Sequence, residues 1–302
     1  MLIKPAATLK KIQDERRKKK AETNLLFAST FYQIVDFKCK CMACGLSKPE
    51  LQQSFSISYI RNGYFEYNVY KNTFEAYTGR VLVDKPGYQY SVRHIRSISD
   101  ECTIFDFTDE FYHQIGEKCG NRIAWYLKNK DRSSLLLDCN VELDYWHSLI
   151  RSKIRNSATA RLEMDDLIIQ LLTAVIGHMS SPATRKVLAE KNIKFHLLAI
   201  EKAKEFIAEK FTEDFSLLDV ARYCCVSPFH FSRIFKQITS YTPHQYLLSY
   251  RLQHAAMLIN STSLSLTEIC YMSGFSRSDY FSAAFSKKYK ISPSQFRQAN
   301  RV

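Results

Sequence analysis

Three cysteines stand close together in the stretch FKCKCMACGL, at Cys39, Cys41 and Cys44, and VRHIRSISDEC adds His94 and Cys102 from a later part of the chain. Soft thiolates together with an imidazole suit zinc or another thiophilic metal, so Cys39, Cys41, His94 and Cys102 form a candidate ligand set. CxCxxC is not a standard zinc spacing, however, and no second CxxC completes it. Cysteines clustered on a strand also alternate between core and surface, so structural thiols compete with a metal or redox sensor as the reading. A second kind of chemistry is base reading. The stretches CVSPFHFSRIFKQ and GFSRSDYFSAAFSKK carry side chains that can hydrogen-bond to base edges and phosphates. In the first these are Ser232, Arg233 and Lys236, beside the aromatic Phe229; in the second they are Arg277, Ser278, Asp279 and Ser282. No glycine-rich phosphate loop, nucleophile elbow or HExxH motif occurs, so catalysis is not expected.

Composition limits what can position these groups. A chain of 302 residues, 46% hydrophobic and 13% aromatic, is enough for two domains with filled cores. Its formal charge of +13 favours a polyanionic partner, nucleic acid first and an anionic membrane surface second. No run approaches about 18 consecutive apolar residues, and the basic start KKIQDERRKKK is not followed by an apolar signal core. The expectation is therefore a cytoplasmic protein with no membrane partner. Nine cysteines, an odd number with no secretory signal, read as reduced thiols.

Patterning divides the chain into four parts. Residues 1–24 are a charged arm. Residues 25–180 begin with short β-rich runs such as SFSISYI, YFEYNVY and RVLVD, separated by the turn signals RNG, TGR and KPG. These predict a small antiparallel barrel or sandwich up to about Phe107. From about Asp109 the period becomes helical, with the strongest stripe in RLEMDDLIIQLLTAVIGHM. That segment is apolar on more than one side, which fits either a buried helix or a dimer seam. Residues 181–194 read as a linker, and 195–302 as helical throughout.

The last part contains a repeat. Phe231, Ser232, Phe235, Pro243 and Gln245, each shifted by 50, land on Phe281, Ser282, Phe285, Pro293 and Gln295. Upstream the shift is 49, so that Asp219, Val220, Ala221 and Ser227 fall on Glu268, Ile269, Cys270 and Ser276. Such a period indicates a duplicated supersecondary unit. Each copy is a short helix, a tight turn and a second helix. In the first copy Ser216 is the expected N-cap, Leu218, Val220 and Ala221 the buried side of the short helix, and Pro228 the start of the next. Phe231, Ile234, Phe235 and Ile238 then make one apolar face, answered in the second copy by Tyr280, Phe281, Ala284 and Phe285. An amphipathic helix clamped at a turn to a short supporting helix is the geometry that enters a DNA major groove.

With the stretches ARYCCVSPFHFSRIFKQ, TPHQYLLSYRLQHAAMLI, SLTEICYMSGFS and YFSAAFSKKYKISPSQFR, residues 195–302 resemble the DNA-binding domain of AraC/XylS-family transcription regulators. The resemblance implies two helix-turn-helix units joined by a long helix from about Pro243 to Ile259, holding both readers on one side of the duplex. It matches Phe229, Ser232 and Arg233 to the base-facing positions of the first reader, and Ser278, Asp279 and Ser282 to those of the second. Double-stranded DNA and RNA polymerase are the implied partners. Glycine is common in the family at the positions of Cys225, Ser240 and Lys290, which puts strain in those turns here. Arginine is common at the position of Ala283; without its fork the second reader is expected to hold phosphates while the first reads bases.

The preceding half resembles the family's cupin-type effector and dimerisation domains. The overall expectation is an α+β protein, with an N-terminal β-rich cupin-like sensor domain with helices and a C-terminal all-α domain of two helix-turn-helix units. A small-molecule or metal effector and a homodimer follow from that likeness. Two alternatives stand beside it: a barrel packed solid in a constitutive DNA-binding protein, and an Ada-like methyl-accepting cysteine at Cys39, Cys41 or Cys44, although the four-cysteine zinc pattern of that group is absent. His230, His244 and His254 read as surface or packing residues.

Overall fold

The computed structural model describes residues 21–40, 45–95, 99–118, 120–156, 160–179 and 196–300. The chain divides into two compact units, one within Met1–Cys139 and Ser152–Thr184, the other within Asn140–Arg151 and Arg185–Val302. Almost all of the basic arm, the linker 181–194, Cys41 and Cys44 lie outside the described residues.

The first unit is built on ten strands: β1 (Ala21–Ala28), β2 (Tyr32–Cys39), β3 (Glu50–Leu51), β4 (Phe55–Asn62), β5 (Tyr64–Val69), β6 (Asn72–Tyr77), β7 (Arg80–Asp84), β8 (Gln89–His94), β9 (Glu101–Phe107) and β10 (Ser134–Asp138). They form a six-stranded sheet in the order β1-β2-β9-β4-β7-β10 and a four-stranded sheet in the order β3-β8-β5-β6. The strand pairs are antiparallel. The glycine of the RNG signal, Gly63, has φ +119° between β4 and β5, where a side chain would strike Asp100. Ile60, Leu82 and Cys102 from the larger sheet and Phe65, Tyr67, Val69 and Ala76 from the smaller one pack into a single apolar cluster. The β-rich half is thus a mixed β and α unit, as its alternating runs predicted.

Two features depart from the sequence reading. The helical region expected after Asp109 contains a strand: α1 (Asp109–Lys118) and α2 (Gly120–Leu127) are followed by β10, whose Leu136 pairs with Leu82 of β7. SLLLD is a short continuous apolar run, which has no period of its own and takes the conformation that an open sheet edge offers. The other departure is β1, which takes in Ala21–Asn24 by pairing with β2 from Ala21 opposite Cys39.

Helix α3 (Val141–Arg155) is followed by α4 (Arg161–Met179). Helix α4 buries Met164, Leu167, Ile168, Leu171, Leu172, Val175 and Ile176 and leaves Leu162 and Ile169 exposed. Its Asp165 accepts hydrogen bonds from Tyr32 at 2.8 Å and Ser29 at 3.1 Å, which fixes the helix to β2. Among the described residues no helix is long and apolar enough to cross a membrane.

Among the described residues the second unit holds 140–151 and seven further helices: α5 (Leu197–Lys210), α6 (Leu217–Tyr223), α7 (Pro228–Thr239), α8 (Pro243–Ser261), α9 (Leu266–Met272), α10 (Ser278–Tyr289) and α11 (Pro293–Asn300). One core cluster joins Leu252, Ala255 and Ile259 of α8 to Ile269, Phe275, Phe281 and Phe285. The helical C-terminal half therefore follows the predicted order of short helix, turn and second helix, twice.

Candidate nucleic-acid interface

The repeat extends from residue types to backbone geometry. Ser216 caps α6 by accepting from the Asp219 N–H, and the Asp219 carboxylate accepts in return from the Ser216 N–H at 2.8 Å. Ser265 and Glu268 do the same for α9, at 2.7 Å. These reciprocal caps satisfy amides that short helices otherwise leave open. The turns then superimpose in hydrogen bonding. The Val226 N–H donates to Ala221 O at 3.0 Å, and 49 residues on the Phe275 N–H donates to Cys270 O at 3.1 Å.

At the centre of each turn stands a left-handed residue, Cys225 with φ +56° and Gly274 with φ +80°. The second must be glycine for space as well: a Cβ there would lie 2.7 Å from Phe211 O and 2.8 Å from Arg251 Nε. The reader helices end alike, on Ser240 with φ +65° and Lys290 with φ +68°. The three positions where family likeness leads one to expect glycine are thus held in the conformation that glycine favours.

Helix α7 buries Phe231, Ile234 and Phe235, and α10 buries Phe281 and Phe285. The ring centroids are 5.4 Å apart in the first pair and 5.7 Å in the second. Two residues expected on the core faces are not there: Leu218 is 41% and Tyr280 48% exposed. Helices this short bury only a narrow stripe, and Leu218 and Tyr280 lie just outside it.

With the core faces fixed, the opposite faces are presented outward. On α7, Phe229 is 85% exposed, Arg233 and Lys236 are exposed, and Ser232 is half-buried. On α10, Ser278, Asp279 and Ser282 are exposed, as is Arg277 just ahead of the helix. Arg277 is already engaged, donating through Nε to Asp279 at 3.1 Å and through Nη2 at 2.5 Å. That fork lowers the carboxyl pKa of Asp279 and raises that of the guanidinium. The two helices thus differ: α7 offers basic and aromatic groups, whereas α10 starts with an internally neutralised pair.

The candidate metal residues fall in the first unit. His94 Nε2 is 2.5 Å from Asp100 Oδ2. Hydrogen bonds to Asp100 and Cys39 raise the imidazole pKa to about 10. Cys102 is buried in the sheet, and burial pushes its thiol pKa up. Among the described residues no group of three or more His, Cys, Asp or Glu is placed to hold a metal ion.

A family model described as a helix-turn-helix domain matches residues 220–299. The transcriptional activator RhaR of Mannheimia succiniciproducens is 29% identical over 148 residues, 49% of this chain and 50% of that protein. Residues 220–299 are thus a helix-turn-helix domain similar to those of transcriptional regulators. The MmsAB operon regulatory protein of Pseudomonas aeruginosa is 38% identical over 82 residues, 27% of each chain. Among solved structures, the C-terminal domain of AraT, a response regulator from Geobacillus stearothermophilus, is 33% identical and covers 34% of this chain and 87% of that one, with a TM-score of 0.33. The chain thus spans about half the length, or less, of the curated relatives it matches.

Proposed function

We propose that the chain is a sequence-specific transcriptional regulator that binds double-stranded DNA through both helix-turn-helix units. The observation that carries this is α7, on which Phe229, Arg233 and Lys236 are exposed while Phe231 and Phe235 hold the helix to its supports. Such a helix can lie in a major groove with its arginine forked onto guanine O6 and N7. Ser232 completes the first reader. In the second, Ser278 and Ser282 offer hydroxyls to phosphates, while Arg277 and Asp279 face the duplex as a mutually neutralised pair. The charge of +13 supplies the long-range attraction. RNA polymerase is the partner at the promoter, and the β-rich unit is a cupin-like effector and dimerisation module that responds to a small molecule or to metal or redox chemistry around Cys39 and His94.

Selection of binding sites from a random DNA pool tests the reading. Arg233→Ala should cost about 1–3 kcal/mol and relax preference at one or two base positions. Ser282→Ala should cost much less. Equal base-specific losses would overturn the asymmetry between the readers, and no loss from either would remove α7 and α10 from the interface.

A second reading rests on the apolar cluster between the sheets, in which Phe65, Tyr67 and Leu82 occupy space that a ligand would need. In that version the β-rich unit is structural and DNA binding is constitutive.

A further inference from the structure

Arg233 does not stand free on α7. Its Nη2 lies 3.3 Å from His230 Nδ1, one helical turn earlier. His230 Nε2 in turn lies 3.3 Å from Nε2 of His196, just ahead of α5. The two imidazoles are edge to face, with centroids 4.7 Å apart and planes at 75°. Both rings line a cavity of about 500 Å³ with Lys202, Cys224 and Cys225.

Only one placement of protons satisfies this chain. A guanidinium has donors alone, so His230 Nδ1 accepts and carries no hydrogen. The ring's proton is then on Nε2 and points at His196. For that contact to be favourable, His196 Nε2 must accept, and its proton sits on Nδ1. Each imidazole is therefore neutral, and a proton added to either removes an acceptor.

We propose that His230, backed by His196, is a positioning residue for the reading arginine and holds its direction only while both rings are neutral. The inference rests on α7 being a reader. One Nη2–H held by His230 leaves four of the five guanidinium donors, enough for a bidentate contact with guanine. Holding the side chain also removes rotamer freedom before DNA arrives, which binding would otherwise have to remove. Among the described residues the charged groups facing the pair are cationic, Lys202 from α5 and Arg233 from α7, and none of those lining the cavity carries a carboxylate. Burial, with His230 and Arg233 nearby, lowers the pKa of His196. When acid charges the pair, Arg233 is released and repelled while local positive charge rises. Base discrimination should fall, whereas attraction to phosphates should hold or increase.

The test compares a selected duplex with its variant at the base pair assigned to Arg233, from about pH 8 to about pH 5.5, across the ordinary histidine range. In the full-length protein, discrimination of about tenfold at the upper end should shrink at least about threefold at the lower end, with affinity for a random duplex undiminished. His230→Asn keeps an acceptor at the Nδ1 position in a side chain that takes up no proton, so it should discriminate at both ends; His230→Ala should discriminate poorly at both. Random-duplex affinity shows that each variant is folded, and the wild-type profile needs no substitution. A flat wild-type profile, or His230→Ala matching wild type at high pH, overturns the positioning role. Arg233→Ala separates the two ideas: if it loses nothing, α7 is not the reader and this inference falls with it, whereas if it loses discrimination and His230→Ala does not, the histidine pair alone is wrong.

Discussion

Asp144 accepts a hydrogen bond from Tyr246 at 2.8 Å through the same carboxylate oxygen that lies 3.3 Å from the Lys204 ammonium. All three residues are buried, and Lys204 also meets Glu201 at 2.8 Å. Residues 140–151, far from the rest of the unit in sequence, therefore complete the polar core beneath α5 and α8. Asp144→Ala removes the acceptor that Tyr246 uses and one of the two carboxylates beside Lys204, which keeps Glu201. It should destabilise the second unit by about 1–3 kcal/mol in urea unfolding. Asp144→Asn, which keeps an acceptor for Tyr246, should cost less; equal costs would mean that the charge is irrelevant.

His254 makes stability depend on pH. It meets the Tyr145 hydroxyl at 3.0 Å and the Phe211 ring at 4.8 Å, and burial lowers its pKa to about 4. A folded-state pKa below the unfolded value of about 6.5 means that the folded protein prefers the neutral ring. The contribution is fully present above about pH 6.5 and is lost toward pH 4, by up to about 3 kcal/mol. Glu201, whose pKa burial raises, acts in the opposite direction, so the informative quantity is wild type minus His254→Phe. That difference should fall between neutral pH and about pH 4.5; a constant difference would show that His254 is not titrating.

At the start of α10, Asp279 neutralises Arg277. Asp279→Asn should free the guanidinium for phosphate, tightening DNA binding and steepening the salt dependence by about 0.9 in log K per decade for one added contact. The lost helix N-terminal charge should lower stability slightly. An unchanged salt slope would place Arg277 away from the duplex.

The left-handed C-caps invite a contrast. Ser240→Gly and Lys290→Gly should each raise stability by about 0.5–1 kcal/mol, the relief of the αL penalty less the entropy glycine loses. Gly274→Ala should do the reverse, by several times as much, because its Cβ would meet the Phe211 carbonyl at 2.7 Å. Thermal unfolding of the three variants reads all of this.

What was legible in the sequence is what local chemistry decides. The local pattern placed Ser216 as a cap, the repeat placed Phe231 and Phe281 as anchors, and the family likeness marked Ser240 and Lys290 as strained turns. All five depend on neighbours within a few positions, and the backbone repeats accordingly. The outward faces of α7 and α10 follow from the same helical period. Tertiary structure decided the rest. SLLLD became β10 because β7 offered an open edge, and Leu218 and Tyr280 stayed exposed because short helices bury narrow faces. Asp144 joined Tyr246 across 102 residues, and His196 met His230 across 34. No periodicity connects such partners: their pairing arises when separate helices close around one core, and buried polar groups must then find hydrogen bonds wherever the packing has brought them.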